Sequence, residues 1–427
     1  MSRLLISNGL ILDPVSETVK TSSVCIEDGK IIALGDALPG FEPDKTIDAT
    51  GLIISAGIVD LCARLREPGL EFKANIQSET IAAASAGITT LCCPPDTDPV
   101  IDEPAVVELI HHKTLMAAHT KVLTLGALTT GLKGQLLSEM AALQTAGCVG
   151  VSNTRRPVES TQVLKRAYAY AANYDMAVFI EPDDHWLSAG GCAHDGRVAS
   201  RLGLQGIPVS AETVAISRSL MLIAETGVKA HFGRLSSAHA VRLIADAKDQ
   251  GLPVTADVSA HQLFLNEMDI SSFNSIYHVL PPLRSQRDME ALRRGVQDGV
   301  IDAICSDHQP HEIDAKQAPF ASTEPGISSL ETLLPLSLRL VREQVVPTYT
   351  ALSLITSKPA AILGISAGTL REGEIADICI YDPDADWQLD TESMLSHGKN
   401  TPFEGWNFQG KNRYTIINGE LVFSSDQ

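Results

Sequence analysis

No stretch of this chain approaches the roughly 18 consecutive apolar residues of a membrane-spanning helix, and no cysteine pair has Cys-x-x-Cys spacing. The eight cysteines are scattered at 25, 62, 92, 93, 148, 192, 305 and 379. That pattern excludes the disulfide framework of a small secreted domain. Several lie in apolar runs, so buried, reduced thiols are expected. Positive charge is scarce: 33 Lys and Arg against 52 Asp and Glu, a net charge of −19. Such a balance disfavours nonspecific nucleic-acid binding and anionic membrane surfaces. The opening Met-Ser-Arg-Leu-Leu-Ile-Ser-Asn-Gly has too short an apolar stretch for a signal peptide. A cytoplasmic protein is therefore expected. Gly190-Gly191 lacks the strand–GxGxxG–helix context of a dinucleotide site. There is no internal repeat of fixed period and no low-complexity tract.

What is present is an alternation. Short apolar runs at 52–61, 89–93, 121–125, 148–152, 177–181, 229–233, 253–258 and 302–307 read as eight strands. Amphipathic segments at 75–86, 104–115, 135–145, 160–174, 211–226, 237–250 and 286–298 read as helices between them. Eight strand–helix alternations predict an α/β fold, a (β/α)8 TIM barrel, spanning 52–368. Near-continuous apolar strands suit a parallel sheet covered on both faces. The two ends differ. Residues 1–51 and 369–427 carry short alternating runs with hairpin turns such as Glu27-Asp28-Gly29-Lys30. They predict one small β-sandwich-like module built from both termini. The stretch 183–206, rich in Asp, His and Gly, is expected to be a loop over the barrel.

Barrel chemistry sits at the C-terminal strand ends. In order these ends present Cys62, Arg64 and Arg66; Pro95-Asp96-Thr97-Asp98-Pro99; Ser152-Asn153-Thr154-Arg155-Arg156; Glu181; His231 to Arg234; and Asp307-His308. Together with Gly57-Ile58-Val59-Asp60, Arg201-Leu202-Gly203, Gly206-Ile207-Pro208, Pro281-Pro282-Leu283-Arg284 and Asn400-Thr401-Pro402-Phe403, these motifs span nearly the whole chain. They resemble class I dihydroorotases of the amidohydrolase superfamily. The resemblance implies a barrel of the metal-dependent hydrolase type, in which zinc polarises a cyclic amide and generates hydroxide.

Carried over position by position, the resemblance departs from the family at its working residues. The strand-one His-x-His pair falls on Cys62 and Arg64. The carboxylate after strand four falls on Asn153 or Thr154. The strand-five histidine falls on Glu181 and the strand-six metal histidine on Arg234, with His231 upstream. Asp307 alone keeps the family's residue. A guanidinium has no lone pair to offer a metal. Among the substrate-contacting positions, Arg66 is kept, but the family's asparagines fall on Asp96 and Leu280. His308 and His311 match a strand-eight motif and read equally as structural histidines. Cys62 reads either as a soft ligand or, more plainly, as a small buried residue. Arg64 and Arg234 are expected to fill the old pocket by pairing with Glu181 and Asp307. Ser152, Ser236 and Ser237 have no His–acid partners and carry no nucleophile reading.

The resemblance therefore implies a non-catalytic dihydroorotase homologue: no enzyme, no cofactor and the ancestral zinc site lost. It also implies a structural or assembly subunit of aspartate transcarbamoylase in de novo pyrimidine biosynthesis, hetero-oligomeric with that enzyme's catalytic chain. The alternative is an active amidohydrolase with a rebuilt metal site. A third is a sensor that keeps Arg66 as an anion grip. Substituting Cys62→His and Arg64→His together should not raise dihydroorotate turnover, because Asn153, Glu181 and Arg234 stay as they are. A large gain in that assay would overturn the assignment of those positions.

Overall fold

The computed structural model describes residues 3–15, 18–35 and 38–426. Its centre is a nearly closed barrel of eight parallel strands. They are β1 (Ile58–Asp60), β2 (Ile88–Cys93), β3 (Lys121–Ala127), β4 (Gly150–Ser152), β5 (Ala177–Ile180), β6 (Ala230–Phe232), β7 (Val254–Ser259) and β8 (Ala303–Cys305). Each is followed by a helix: α1 (Ile76–Ser85), α2 (Pro104–Ala117), α3 (Met140–Ala146), α4 (Thr161–Asn173), α5 (Val209–Thr226), α6 (Ala238–Asp249), α7 (Gln286–Gln297) and α8 (Leu333–Arg342). The strands pair in sequence order, as right-handed βαβ crossovers require. Side-chain caps start α1, α4, α6 and α7, where Asn75, Ser160, Ser237 and Ser285 accept backbone N–H bonds. Left-handed Gly147 and Gly227 end α3 and α5, where a Cβ would be strained.

The first apolar run, expected as one strand over 52–61, is divided at Gly57. Ile53–Ala56 joins a second sheet and only Ile58–Asp60 enters the barrel. A Cβ at Gly57 would lie 2.2 Å from the Thr89 hydroxyl. The second sheet takes Arg3–Asp13, Thr18–Glu27, Lys30–Gly35, Lys45–Asp48 and Ile53–Ala56 from one end of the chain. It takes Ile378–Gln388, Asn407–Ile417 and Glu420–Ser424 from the other. Ile378–Gln388 pairs antiparallel with Ile53–Ala56, which ties the two termini together. One apolar cluster, including Ile6, Val24, Ile54, Ile378 and Ile416, serves both segments. The stretch expected as a loop over 183–206 is partly ordered. It forms short helices at His185–Ser188 and Arg197–Leu202, and Ala193–His194 pairs with Gly206–Ile207.

Closure between β1 and β8 is not a regular ladder. At one end the backbone of residues 354–355 is inserted: Val59 donates to Ile355 O (2.9 Å) and Ile304 to Leu354 O (2.9 Å). At the other end Arg64 donates to His308 O (2.9 Å) and His308 to Cys62 O (3.2 Å). Between them Asp60, fully buried, accepts the Ser306 backbone N–H (2.8 Å) and its hydroxyl. Burial pushes the Asp60 carboxyl up to about 7, against the pull of those bonds.

A folded-state pKa above the unfolded value stabilises at low pH, and that contribution is lost as pH rises toward the folded pKa. Asp60 should therefore weaken the fold progressively from about pH 4 to about pH 7, by up to ~4 kcal/mol. Asp60→Asn should gain stability relative to the parent across that window. Denaturant midpoints at both ends of the window check it; a constant difference would refute it.

Candidate active site

The C-terminal strand ends bring Cys62, Arg64, Glu181, Arg234 and Asp307 into one buried cluster. Cys62 is 3% exposed, Asp307 2%, Arg234 6% and Arg64 9%. Arg234 Nη2 lies 2.6 Å from Glu181 Oε2, and its Nε lies 3.6 Å from Asp307 Oδ1. Arg64 reaches Glu181 Oε1 at 3.5 Å and Asp307 Oδ1 at 3.7 Å. The two cations thus share the same two anions. Both also donate to the Cys62 sulfur, Arg234 from 2.7 Å and Arg64 from 3.8 Å. A third carboxylate joins: Asp96 Oδ2 accepts from Arg64 Nε at 2.8 Å. Asp96, which repulsion alone would set against a substrate carboxylate, is instead engaged by Arg64.

Burial and pairing oppose one another here. Burial pushes the Cys62 thiol well up, against the pull of Arg234 and Arg64. It also raises the Asp307 carboxyl above its usual range, although the same arginines pull it down. For Asp96 the Arg64 charge outweighs burial and holds the carboxyl low. Burial opposes the charge on each arginine, but Asp96 and Glu181 at Arg64, and Cys62, Glu181 and Asp307 at Arg234, outweigh it.

The remaining positions fall on loops around this cluster. Asn153 is spent locally: its Oδ1 accepts from Thr129 Oγ1 (2.6 Å) and its Nδ2 donates to Arg156 O (2.9 Å). Thr154 bonds back to Ser152 Oγ through its backbone N–H. Leu280 is half-buried beside a cis peptide to Pro281. Arg66 donates to Pro310 O (3.0 Å) and faces His311 Nε2 (3.1 Å). Among the described residues no carboxylate lies within 4.0 Å of it. Burial, then the nearby Arg64 charge, lowers Arg66 to about 10. His308 is a structural histidine, donating to buried Glu79 (2.7 Å) while its Nδ1 accepts from Ser329 N.

Asp257 is the main residue that motif reading missed. Its Oδ1 accepts the Arg234 backbone N–H (2.6 Å) and its Oδ2 meets His231 Nε2 (2.8 Å). Burial raises this carboxyl, but His231 and Arg234 outweigh it and hold it low. Asp257 and His231 thereby seat the turn that aims Arg234. That turn is strained: Arg234 has φ 57°, and Arg66, Thr154 and Asp307 are also left-handed at 63°, 49° and 50°. Left-handed backbone at non-glycine residues concentrates at functional sites. The signal available in the sequence was an aspartate inside the apolar run 253–258.

Family models match over much of the chain. "Dihydro-orotase-like" matches residues 51–240 and "Amidohydrolase family" residues 188–422. A "Dihydroorotase-like protein" of Pseudomonas aeruginosa is 48% identical over 96% of this chain and 97% of its own length. The chain belongs to the dihydroorotase-like amidohydrolase family. A "Dihydroorotase" of Syntrophotalea carbinolica is 39% identical over 99% of both chains. The fold is shared with an L-hydantoinase (dihydropyrimidinase) from Arthrobacter aurescens, with TM-score 0.90 and 24% identity over 99% of this chain and 96% of that one.

Two expectations are corrected by these findings. The altered ligand positions taken alone imply no enzyme. Full-length relatives at 38–39% identity are named dihydroorotase, which points to a catalytic hydrolase. The same positions imply no cofactor, yet the amidohydrolase relatives are typically metal-dependent. The donors at this mouth do not fit the family's zinc. Cys62, Glu181 and Asp307 are each within reach of a guanidinium, and two fixed cations beside a divalent ion are electrostatically unfavourable. No catalytic step is assigned through a metal at these residues.

Removing one member of a buried charge cluster strands its partners. Arg234→Met should destabilise the fold by ~3–5 kcal/mol. Adding Glu181→Met to it should recover part of that loss. Strictly additive losses in the denaturation cycle would show that the pairing seen here carries no coupling energy.

Proposed function

We propose that this chain acts in pyrimidine biosynthesis on carbamoyl aspartate and dihydroorotate, as a cyclic-amide hydrolase whose site is rebuilt around Asp307. The observation that carries this reading is that the chain keeps a buried proton-transfer group, Asp307, and an anion grip, Arg66, at the same end of the barrel. Asp307 is buried and its carboxyl is raised, so it is suited to exchange a proton. Among the described residues Arg66 is a guanidinium with no carboxylate within 4.0 Å, as a substrate carboxylate requires. Relatives named dihydroorotase support the reaction class. The void beside Cys62, Glu181 and Arg234 measures about 20 Å³, room for about one water. Substrate entry therefore requires Arg64 or Arg234 to swing away from Glu181. Ring opening of dihydroorotate, followed with and without added zinc, tests the reading. Turnover should fall at least ~100-fold in Asp307→Asn. Failure to open dihydroorotate or a hydantoin under any metal supplement would retire it.

The closed charge cluster favours a second reading, association with the aspartate transcarbamoylase catalytic chain as a hetero-oligomer. A mouth sealed by mutually neutralised charges makes the outer barrel surface the part a partner meets. A stable contact would bury roughly 1,200 Å² or more. Co-purification from the native cell followed by mass spectrometry should recover that chain in fixed ratio. Separate elution of the two purified chains at micromolar concentration would count against it.

A further inference from the structure

A cavity of about 360 Å³ lies where the end of α1 and the start of α8 meet the strands from the C-terminal segment. It is lined by none of the barrel strand-end residues described above. Leu334, Pro335, Trp387 and Phe423 supply apolar walls, and Glu331 and Lys411 supply charge. The volume is within the range of small-molecule sites, roughly 300–1,000 Å³.

The walls are preset. Trp387 packs against Phe408, ring centroids 5.2 Å apart, and its indole N–H donates to Gly410 O at 3.0 Å. Its orientation is therefore fixed, while it remains half-buried with ring surface to offer. Lys411 Nζ sits 5.3 Å from the Trp387 ring centroid. Among the described residues no carboxylate lies within 4.0 Å of Lys411. Glu331 Oε1 accepts the backbone N–H groups of Leu395 (3.0 Å) and Ser396 (3.1 Å). Its Oε2 has no hydrogen bond among the described residues. Burial pushes this carboxyl up to about 7, so near neutrality it is partly a donor.

We propose that this cavity binds a planar aromatic monocarboxylate, with its ring against Trp387 and its carboxylate on Lys411. A cation with no carboxylate within 4.0 Å among the described residues, beside a fixed aromatic face, selects for a flat anion, because it offers charge attraction and stacking together. A flat cation would meet Lys411 as a like charge.

Isothermal titration of the purified full-length chain with 2-naphthoate tests this. Saturable one-site binding is expected. Lys411→Glu, an exposed position that leaves the fold intact, should weaken it at least tenfold and reverse the preference toward 2-naphthylmethylammonium. Ser393→Trp, at the exposed rim, should weaken it comparably by occupying the space. Quenching of tryptophan fluorescence by naphthoate should disappear in Trp387→Phe. Absence of saturable binding, or parent-like binding in both Lys411→Glu and Ser393→Trp, would overturn the proposal.

Discussion

Two guanidinium groups and two carboxylates share the mouth of this barrel, and pairing them ties together the ends of four of its strands. Arg64 comes from the end of β1, Glu181 from β5, Arg234 from β6 and Asp307 from β8. Each cation contacts both anions, so no single pair is separable from the others. In a cavity that excludes water, an unpaired member would bear the full desolvation cost. The cluster therefore links strands far apart in the sequence, at the level where a family active site stands.

Around it the protein builds support that is itself polar and buried. Asp257 and His231 hold the Arg234 turn from beneath. Asp60 and Ser306 hold β1 against β8 just under Cys62 and Asp307. Glu79 holds His308, and Ser396 donates to the same carboxylate, which ties the C-terminal segment to the barrel. Asp257 holds the left-handed Arg234 through its own backbone N–H, and Asp60 and Glu79 hold Ser306 and His308 on either side of the left-handed Asp307. Strain of that kind persists only where surrounding bonds over-determine the backbone.

Much of the architecture was legible in the chain. All eight barrel strands overlap the short apolar runs, three of them extending one or two residues past a run, because a parallel sheet covered on both faces needs apolar residues on both. The terminal hairpins at Asp28-Gly29 and Asn418-Gly419 were legible because both residues of each pair adopt positive φ. The split at Gly57 was not, because an unbroken apolar run contains no mark of where one sheet ends and another begins. The order within 183–206 was also hidden, since two-residue pairings leave no periodicity. At the mouth, the altered positions were visible one by one. The inference from them to an inactive, cofactor-free chain went too far, because residue identity at a few positions does not outweigh full-length kinship with proteins named dihydroorotase.

The sequence by itself determined the barrel, the contribution of both termini to one sheet, and which residue types stand at each strand end. Those properties are local: apolar runs, turn pairs and side-chain chemistry act over a few residues. Only the tertiary structure decided which charges meet. Asp96 turned out to engage Arg64, Asp257 to seat Arg234, and Lys411 to lie against the Trp387 ring. Ion pairing depends on distances of a few ångströms between segments far apart in the chain, as for Arg64 and Asp307 at 3.7 Å. Such distances are set by barrel closure and not by any neighbour in the chain.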